Sequence, residues 1–236
     1  MSKGILYLIP VGMGNNNAAK IVPTYNLEII SSLKHFIVEN GKTARTFIKD
    51  VIPGVVLQEL NYYELNQHTK EIDVHSLINP LLKGENIGLM SEAGCPAVAD
   101  PGAEVVRLAH RHAIKVVPLV GPSSILMSIM ASGLSGQNFA FNGYLPKEKS
   151  DRTRRIKEFE KTATTRAQSQ FFIETPYRND QMIAELLATL SPVTNLLIAC
   201  DITCDTEYIK MKPVAEWKKN ALPSFSKRPC MFGIGA

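Results

Sequence analysis

The residues most suited to chemistry in this chain lie in one bare stretch, Gly88–Gly102, which reads GLMSEAGCPAVADPG. Three glycines and two prolines stand there beside only two acidic side chains, Glu92 and Asp100. A strand ending in such a loop, with a helix beyond it, brings main-chain N–H and C=O groups against a polar small molecule. A second glycine turn, Gly12-Met13-Gly14, follows the apolar run Ile5–Pro10. It is a poor dinucleotide fingerprint, because the third glycine is missing and Glu39 opens a loop with Asn40-Gly41-Lys42. The four cysteines, Cys95, Cys200, Cys204 and Cys230, make neither a disulfide framework nor a zinc tetrahedron, so no metal is expected.

Elements that could position these loops follow from periodicity. Ile5–Pro10, Phe36–Val38, Ile87–Met90 and Ile114–Val120 read as buried strands. Between them Thr24–His35 (with Thr24 a possible cap), Asp73–Lys83 and Gly102–His112 carry helical spacing, and Glu39–Arg45 reads as a polar loop opening a further helix. Alternation of this kind predicts a parallel sheet with helices on its faces. After Gly121-Pro122 the rhythm changes. Ser123–Ser132 is a helical run, and Phe139–Leu145 and Gln170–Thr175 are strands around a charged helix, Asp151–Lys161. Ile183–Leu190 (helix), Asn195–Cys200 (strand) and Met231–Ile234 (a short last strand) complete the set. We expect an α/β chain of two domains, 1–120 and 121–236.

The 236 residues are 45% hydrophobic and 20% charged, ordinary globular values that allow a real core. A net charge of +4 permits a polyanionic partner without demanding one. The N-terminal apolar run is too short for a signal peptide, and no window approaches the roughly 20 apolar residues of a spanning helix. A soluble, cytoplasmic protein with no membrane partner is expected.

Taken in order, six loops carry a more specific pattern. They are Pro10-Val11-Gly12; Glu39–Lys42; SEAGCPAVADPG; Gly121-Pro122-Ser123-Ser124; Gly143–Lys147; and Glu174-Thr175-Pro176-Tyr177-Arg178. Together they resemble the tetrapyrrole methylase superfamily, and within it the branch that methylates a cytidine ribose 2′-hydroxyl on small-subunit ribosomal RNA. The resemblance runs from Leu6 to about Glu207. It implies two α/β domains with S-adenosylmethionine in the cleft between them, and a homodimer. By analogy Pro10, Gly94, Cys95, Pro96 and Val98 line the cofactor site, Ser123 and Ser124 add a hydroxyl and backbone, and Phe172 and Ile202 lie nearer the adenine.

The chemistry is consistent with that resemblance. The donor's methyl group is already activated on a sulfonium, so positioning supplies much of the barrier reduction, on the order of 7–11 kcal/mol in favourable cases. A ribose hydroxyl needs its proton removed, which gives Glu39 and Glu92 possible catalytic roles. Lys42 joins them as a cation at the same edge, and Arg178 is a substrate anchor. Residues 147–161 hold seven cations and four anions, and Lys147, Arg152 and Arg155 are expected to meet RNA phosphates. A solvated helix with internal pairs such as Arg154–Glu158 is the alternative. The substrate side departs from the RNA branch. Glu39-Asn40-Gly41-Lys42 stands for Glu-Asp-Thr-Arg, Ser91–Pro96 differs at Glu92 and Cys95, and Cys200–Cys204 lacks both flanking cations of Arg-Glu-Leu-Thr-Lys. Two other readings stay open: methylation of a tetrapyrrole-like small molecule, whose branches have Gly-Asp-Pro at Gly94–Pro96, and a cofactor-binding protein that has lost catalysis.

Overall fold

The computed structural model describes residues 2–14, 21–66, 69 and 71–236. The three asparagines after Gly14 lie outside the described residues. The chain divides into two compact units, Met1–Ser123 and Ser124–Ala236.

The first unit is built on a five-stranded sheet of order β3-β2-β4-β1-β5, every pairing parallel. Its strands are β1 (Ile5–Leu8), β2 (His35–Val38), β3 (Asn61–Glu64), β4 (Ile87–Met90) and β5 (Lys115–Pro118). Helices α1 (Thr24–Ser32), α2 (Gly41–Val51), α3 (Glu71–Leu77), α4 (Asn79–Leu82) and α5 (Gly102–Arg111) connect them. Successive strand residues enter different cores. Tyr7, Phe36 and Val38 join one apolar cluster, and Leu6 and Ile37 join the other. A sheet covered on both faces must be apolar throughout, which is why β1, β2 and β4 read as unbroken apolar runs.

Local chemistry corrects several sequence expectations. Glu39–Arg45 is not a loop: Asn40 caps α2, its Oδ1 accepting from the N–H of Lys42 (2.9 Å) and Thr43, so the helix starts at Gly41. Thr24 is the first residue of α1 rather than its cap, a place taken by Pro23. The helix expected over Asp73–Lys83 is broken into α3 and α4, with Pro80 in the first turn of the second. The polar edge strand β3 carries no apolar alternation and was not foreseen.

In the second unit the sheet order is β6-β7-β10-β8-β9. The strands are β6 (Phe139–Tyr144), β7 (Ser169–Ile173), β8 (Asn195–Cys200), β9 (Tyr208–Pro213) and β10 (Cys230–Gly235). Only β6 and β7 run parallel; β10 pairs antiparallel with β7 and β8, and β8 with β9. The short C-terminal strand is therefore the middle of the sheet, with all six residues buried. Helices α6 (Ser124–Ser132), α7 (Lys149–Arg166), α8 (Asn179–Thr189) and α9 (Val214–Trp217) complete the unit. The charged segment forms an 18-residue helix that buries Arg152, Ile156, Phe159 and Ala163, one residue per turn.

Candidate functional site

In the first unit, β4, β1 and β5 are neighbours, so the loops after them emerge side by side at the strands' C-terminal ends. That is where an α/β sheet binds ligands. Backbone bonds then knit the three together. Ile9 N–H donates to Leu89 O (2.9 Å) and Leu119 N–H to Leu8 O (3.0 Å), extending the ladders past the strands. Val11 N–H donates to Gly94 O (2.9 Å), folding the Gly88–Gly102 loop over the β1 loop. Gly94 takes a φ of 69°, a conformation that favours glycine. The Cys95 thiol donates to Pro122 O (3.4 Å) and bonds the Ser123 side chain, tying in the β5 loop. Burial pushes that thiol up, partly opposed by Ser123, so it stays protonated at neutral pH. Pro10 packs so closely on Gly121 that a Cβ there would lie 2.4 Å from the proline Cβ. Pro10, Gly94, Cys95, Pro96 and Ser123 are thus brought together.

The tip of the loop is strained. Ala97 and Ala99 adopt left-handed φ values of 65° and 60°, each costing on the order of 1 kcal/mol or more. Val98, between them, is 47% exposed. Asp100 holds this geometry, its Oδ1 accepting from Ala97 N–H (2.9 Å) and Gly102 N–H (2.7 Å). Its Oδ2 is buried with no hydrogen-bond partner among the described residues, and burial raises the Asp100 pKa against the pull of those two N–H groups. The Asp-Pro-Gly triplet announces such a turn before a helix, but Asp100 was not singled out in the sequence.

Of the three expected catalytic residues, the structure joins two directly. Glu39, leaving β2, accepts the backbone N–H of Glu92 (3.3 Å) on its Oε2. Partial burial raises the Glu39 pKa, the Glu92 N–H lowers it, and the charges of Glu92 and Asp100 raise it again. Glu92 and Lys42, both exposed, line one cavity of about 490 Å³, together with Val11, Gly12 and the Thr43 and Phe47 side of α2.

In the second unit, Lys147, Arg152 and Arg178 border a single cavity of about 250 Å³, with Lys149 and Glu174. Arg155 is not part of it: its guanidinium lies 4.6 Å over the Phe159 ring and pairs with Glu158 (2.9 Å). Arg152 needs correction as an RNA contact. It is 5% exposed, donates twice to Glu185 (2.8 and 2.6 Å), and reaches the carbonyls of Pro146 (3.3 Å) and Lys147 (2.7 Å). Its work is to fix the loop that presents Lys147. Arg178, about a third exposed, is held by the buried carboxylate of Glu174 at 2.5 Å. Arg154 pairs with Asp151 (2.8 Å) rather than with Glu158. Tyr144 and Tyr177, 58% and 76% exposed, flank these cations in sequence.

Phe172 is also corrected. It is fully buried between the tilted ring of Phe159 (5.7 Å) and the stacked ring of Phe232 (5.5 Å), and is a core residue rather than a ligand wall. Ser124 begins α6. Ile202 is buried in the loop after β8, between left-handed Asp201 and Thr203. That loop is clamped by Arg228, which donates to Asp201 Oδ2 (2.7 Å) and Thr206 O (2.6 Å).

The comparisons with known proteins agree with this architecture. A family model described as Tetrapyrrole (Corrin/Porphyrin) Methylases matches residues 6–217. The protein named Ribosomal RNA small subunit methyltransferase I of Vibrio cholerae serotype O1 is 30% identical over 90% of this chain and 69% of its own length. Its namesake from Buchnera aphidicola subsp. Schizaphis graminum is 29% identical, over 95% and 75%. Among solved structures, the methyltransferase CobJ superposes with a TM-score of 0.64 at 14% identity, covering 99% of this chain and 94% of that one. Uroporphyrin-III-C-methyltransferase from Thermus thermophilus gives 0.54 at 18% identity, over 98% and 92%. At such identities the two structures speak for the fold alone.

Proposed function

This chain belongs to the tetrapyrrole (corrin/porphyrin) methylase family, and on that premise we propose that it methylates small-subunit ribosomal RNA at a ribose 2′-hydroxyl. S-adenosylmethionine supplies a methyl group already activated on a sulfonium sulfur. The residues present suit such a donor. The knitted loops around Pro10, Gly94, Cys95, Pro96 and Ser123 offer backbone, one hydroxyl and no cation, and Val98 offers an exposed apolar contact. Ser124 and Ile202 retain their proposed donor-binding roles.

Glu92 faces the 490 Å³ cavity and takes the proton from the acceptor hydroxyl. Glu39 holds Glu92 by its backbone N–H and so fixes the reach of that carboxylate. Lys42, on the same cavity, neutralises a phosphate of the acceptor strand. In the second unit Lys147 and Arg178 hold RNA phosphates, and Arg155 on α7, outside their cavity, adds a further cation. The exposed rings of Tyr144 and Tyr177 beside these cations offer faces to unpaired bases. Cations interleaved with exposed aromatics suit single-stranded RNA better than a compact macrocycle.

One observation carries the reading: relatives named for small-subunit ribosomal RNA methylation align over nine-tenths of the chain. A homodimer acting in the cytoplasm belongs to the same proposal, and light scattering of the purified protein tests the dimer. No helix among the described residues is long and apolar enough to cross a membrane. Mapping ribose methylation in ribosomal RNA from cells with and without this protein tests the function. One position on small-subunit RNA should lose its protection from alkaline cleavage when the protein is absent. An unchanged map would refute it.

A further inference from the structure

The cavity that Glu92 and Lys42 share is larger than proton transfer to a hydroxyl requires. At about 490 Å³ it could enclose a whole nucleotide, and its longest wall is one face of α2. Thr43, Thr46, Phe47 and Asp50 line that wall at i, i+3, i+4 and i+7, a single helical stripe. From Lys42 to Asp50 the helix rises about 12 Å, roughly the reach of one nucleotide from its phosphate to the far edge of its base. The opposite wall is bare backbone at Gly12 and Gly14, with Met90 and Ser91.

We propose that this cavity takes the acceptor nucleotide, swung out of its strand, and that the α2 stripe reads its base. This rests on the RNA methylation proposed above and adds the site and the selecting residues. A nucleotide stacked in a helix hides its ribose edge, whereas an extruded one can present its hydroxyl to a carboxylate at the pocket mouth. Phe47, half-buried in the wall, gives the base a ring face to stack on. Asp50 puts an exposed carboxylate on this wall, a hydrogen-bond acceptor that favours a base with an exocyclic amino group over uracil. Lys42, in the first turn of α2, lies at the phosphate end. Thr43 and Thr46 turn their hydroxyl hydrogens inward, to Asn40 O and Lys42 O, and present oxygen lone pairs to the cavity. The stripe is thus rich in acceptors, which again suits amino-bearing bases.

The test uses the full-length protein saturated with adenosylhomocysteine, with CMP, AMP and UMP titrated in and followed by NMR line shifts. CMP or AMP should bind more tightly than UMP. Asp50→Ala should weaken the preferred nucleotide by about tenfold and erase its advantage over UMP. Phe47→Leu, which keeps an apolar side chain in the wall and the fold intact, should weaken every nucleotide by about fivefold or more. Binding unaltered by both substitutions, or no binding by any of the three, would overturn the proposal. Methyl transfer to small ribosomal subunits, run on the same samples, separates the two ideas. Label entering RNA equally in wild type and both variants would remove the pocket assignment and leave RNA methylation standing. Nucleotide binding that behaves as described, with no label in RNA, would do the reverse.

Discussion

Arg152 and Glu185 form an ion pair inside the second unit, 2.6 Å apart, with both side chains less than a tenth exposed. Thr153 Oγ1 donates to the other Glu185 oxygen at 2.9 Å, so the carboxylate is fully engaged. Removing one partner strands a buried charge. Arg152→Ala should therefore destabilise the protein by about 3–5 kcal/mol, whereas the double change Arg152→Met with Glu185→Leu should recover most of that loss. Urea unfolding of the three proteins checks both statements. If Arg152→Ala unfolded like wild type and lost only RNA binding, Arg152 would be a substrate contact after all.

A second expectation concerns pH. Burial raises the pKa of the Glu39 carboxyl above its ordinary value, with the charges of Glu92 and Asp100 adding to the rise. The folded state then binds the proton more tightly than the unfolded chain. The favourable contribution of protonated Glu39 is complete below the unfolded pKa and is lost as pH rises through the folded one. Glu39→Gln should accordingly be more stable than wild type at neutral pH, and the gap should close as pH falls towards 4. Urea midpoints measured across that range check the sign.

Asp100 should behave differently under two substitutions. Asp100→Ala leaves the Ala97 and Gly102 N–H groups without their acceptor and should cost about 1–3 kcal/mol, with weaker adenosylhomocysteine binding. Asp100→Asn keeps that acceptor and removes a charge that burial opposes, so it should be close to neutral at pH 7. Thermal unfolding and calorimetry on both variants decide this.

Gly121 offers a test of the knitted loops. A Cβ at this position would meet Pro10 Cβ at 2.4 Å. Gly121→Ala must therefore push the β1 and β5 loops apart, at a cost of about 1–3 kcal/mol. Donor affinity should fall, while the salt dependence of RNA binding through Lys147 stays as in wild type. Titrations of adenosylhomocysteine and of RNA on the same variant separate the two effects.

Much of the first unit could be read in advance, because a parallel sheet covered on both faces writes itself as apolar runs such as Ile87–Met90. Loop bareness marked Gly88–Gly102 for the same physical reason that suits it to the proposed donor: few side chains would stand between backbone and ligand. Less legible were elements specified by distant partners. Met231–Ile234 reads as a short last strand, but its place in the middle of the sheet comes only from β7 and β8 closing on it from both sides. Edge strands β3 and β9 bury one face poorly and so lack a strong apolar pattern. Arg152 shows the limit for charge. In sequence it is one cation of seven between Lys147 and Lys161, and only the position of Glu185, 33 residues away, turns it inward. Phe172 shows it for apolar residues, since a ring in a strand next to a site-bearing loop can equally be core.

The central claim is methyl transfer to RNA from a donor held by the Gly88–Gly102 loop, and its most direct test is a labelled-methyl assay. Purified protein, tritiated S-adenosylmethionine and small ribosomal subunits lacking the modification would be incubated together, and the RNA digested to nucleosides. Label should appear in one 2′-O-methylated nucleoside, and Glu92→Gln should lower the rate by about 10²-fold or more while leaving adenosylhomocysteine affinity unchanged. RNA that stays unlabelled while the protein binds adenosylhomocysteine would contradict the account.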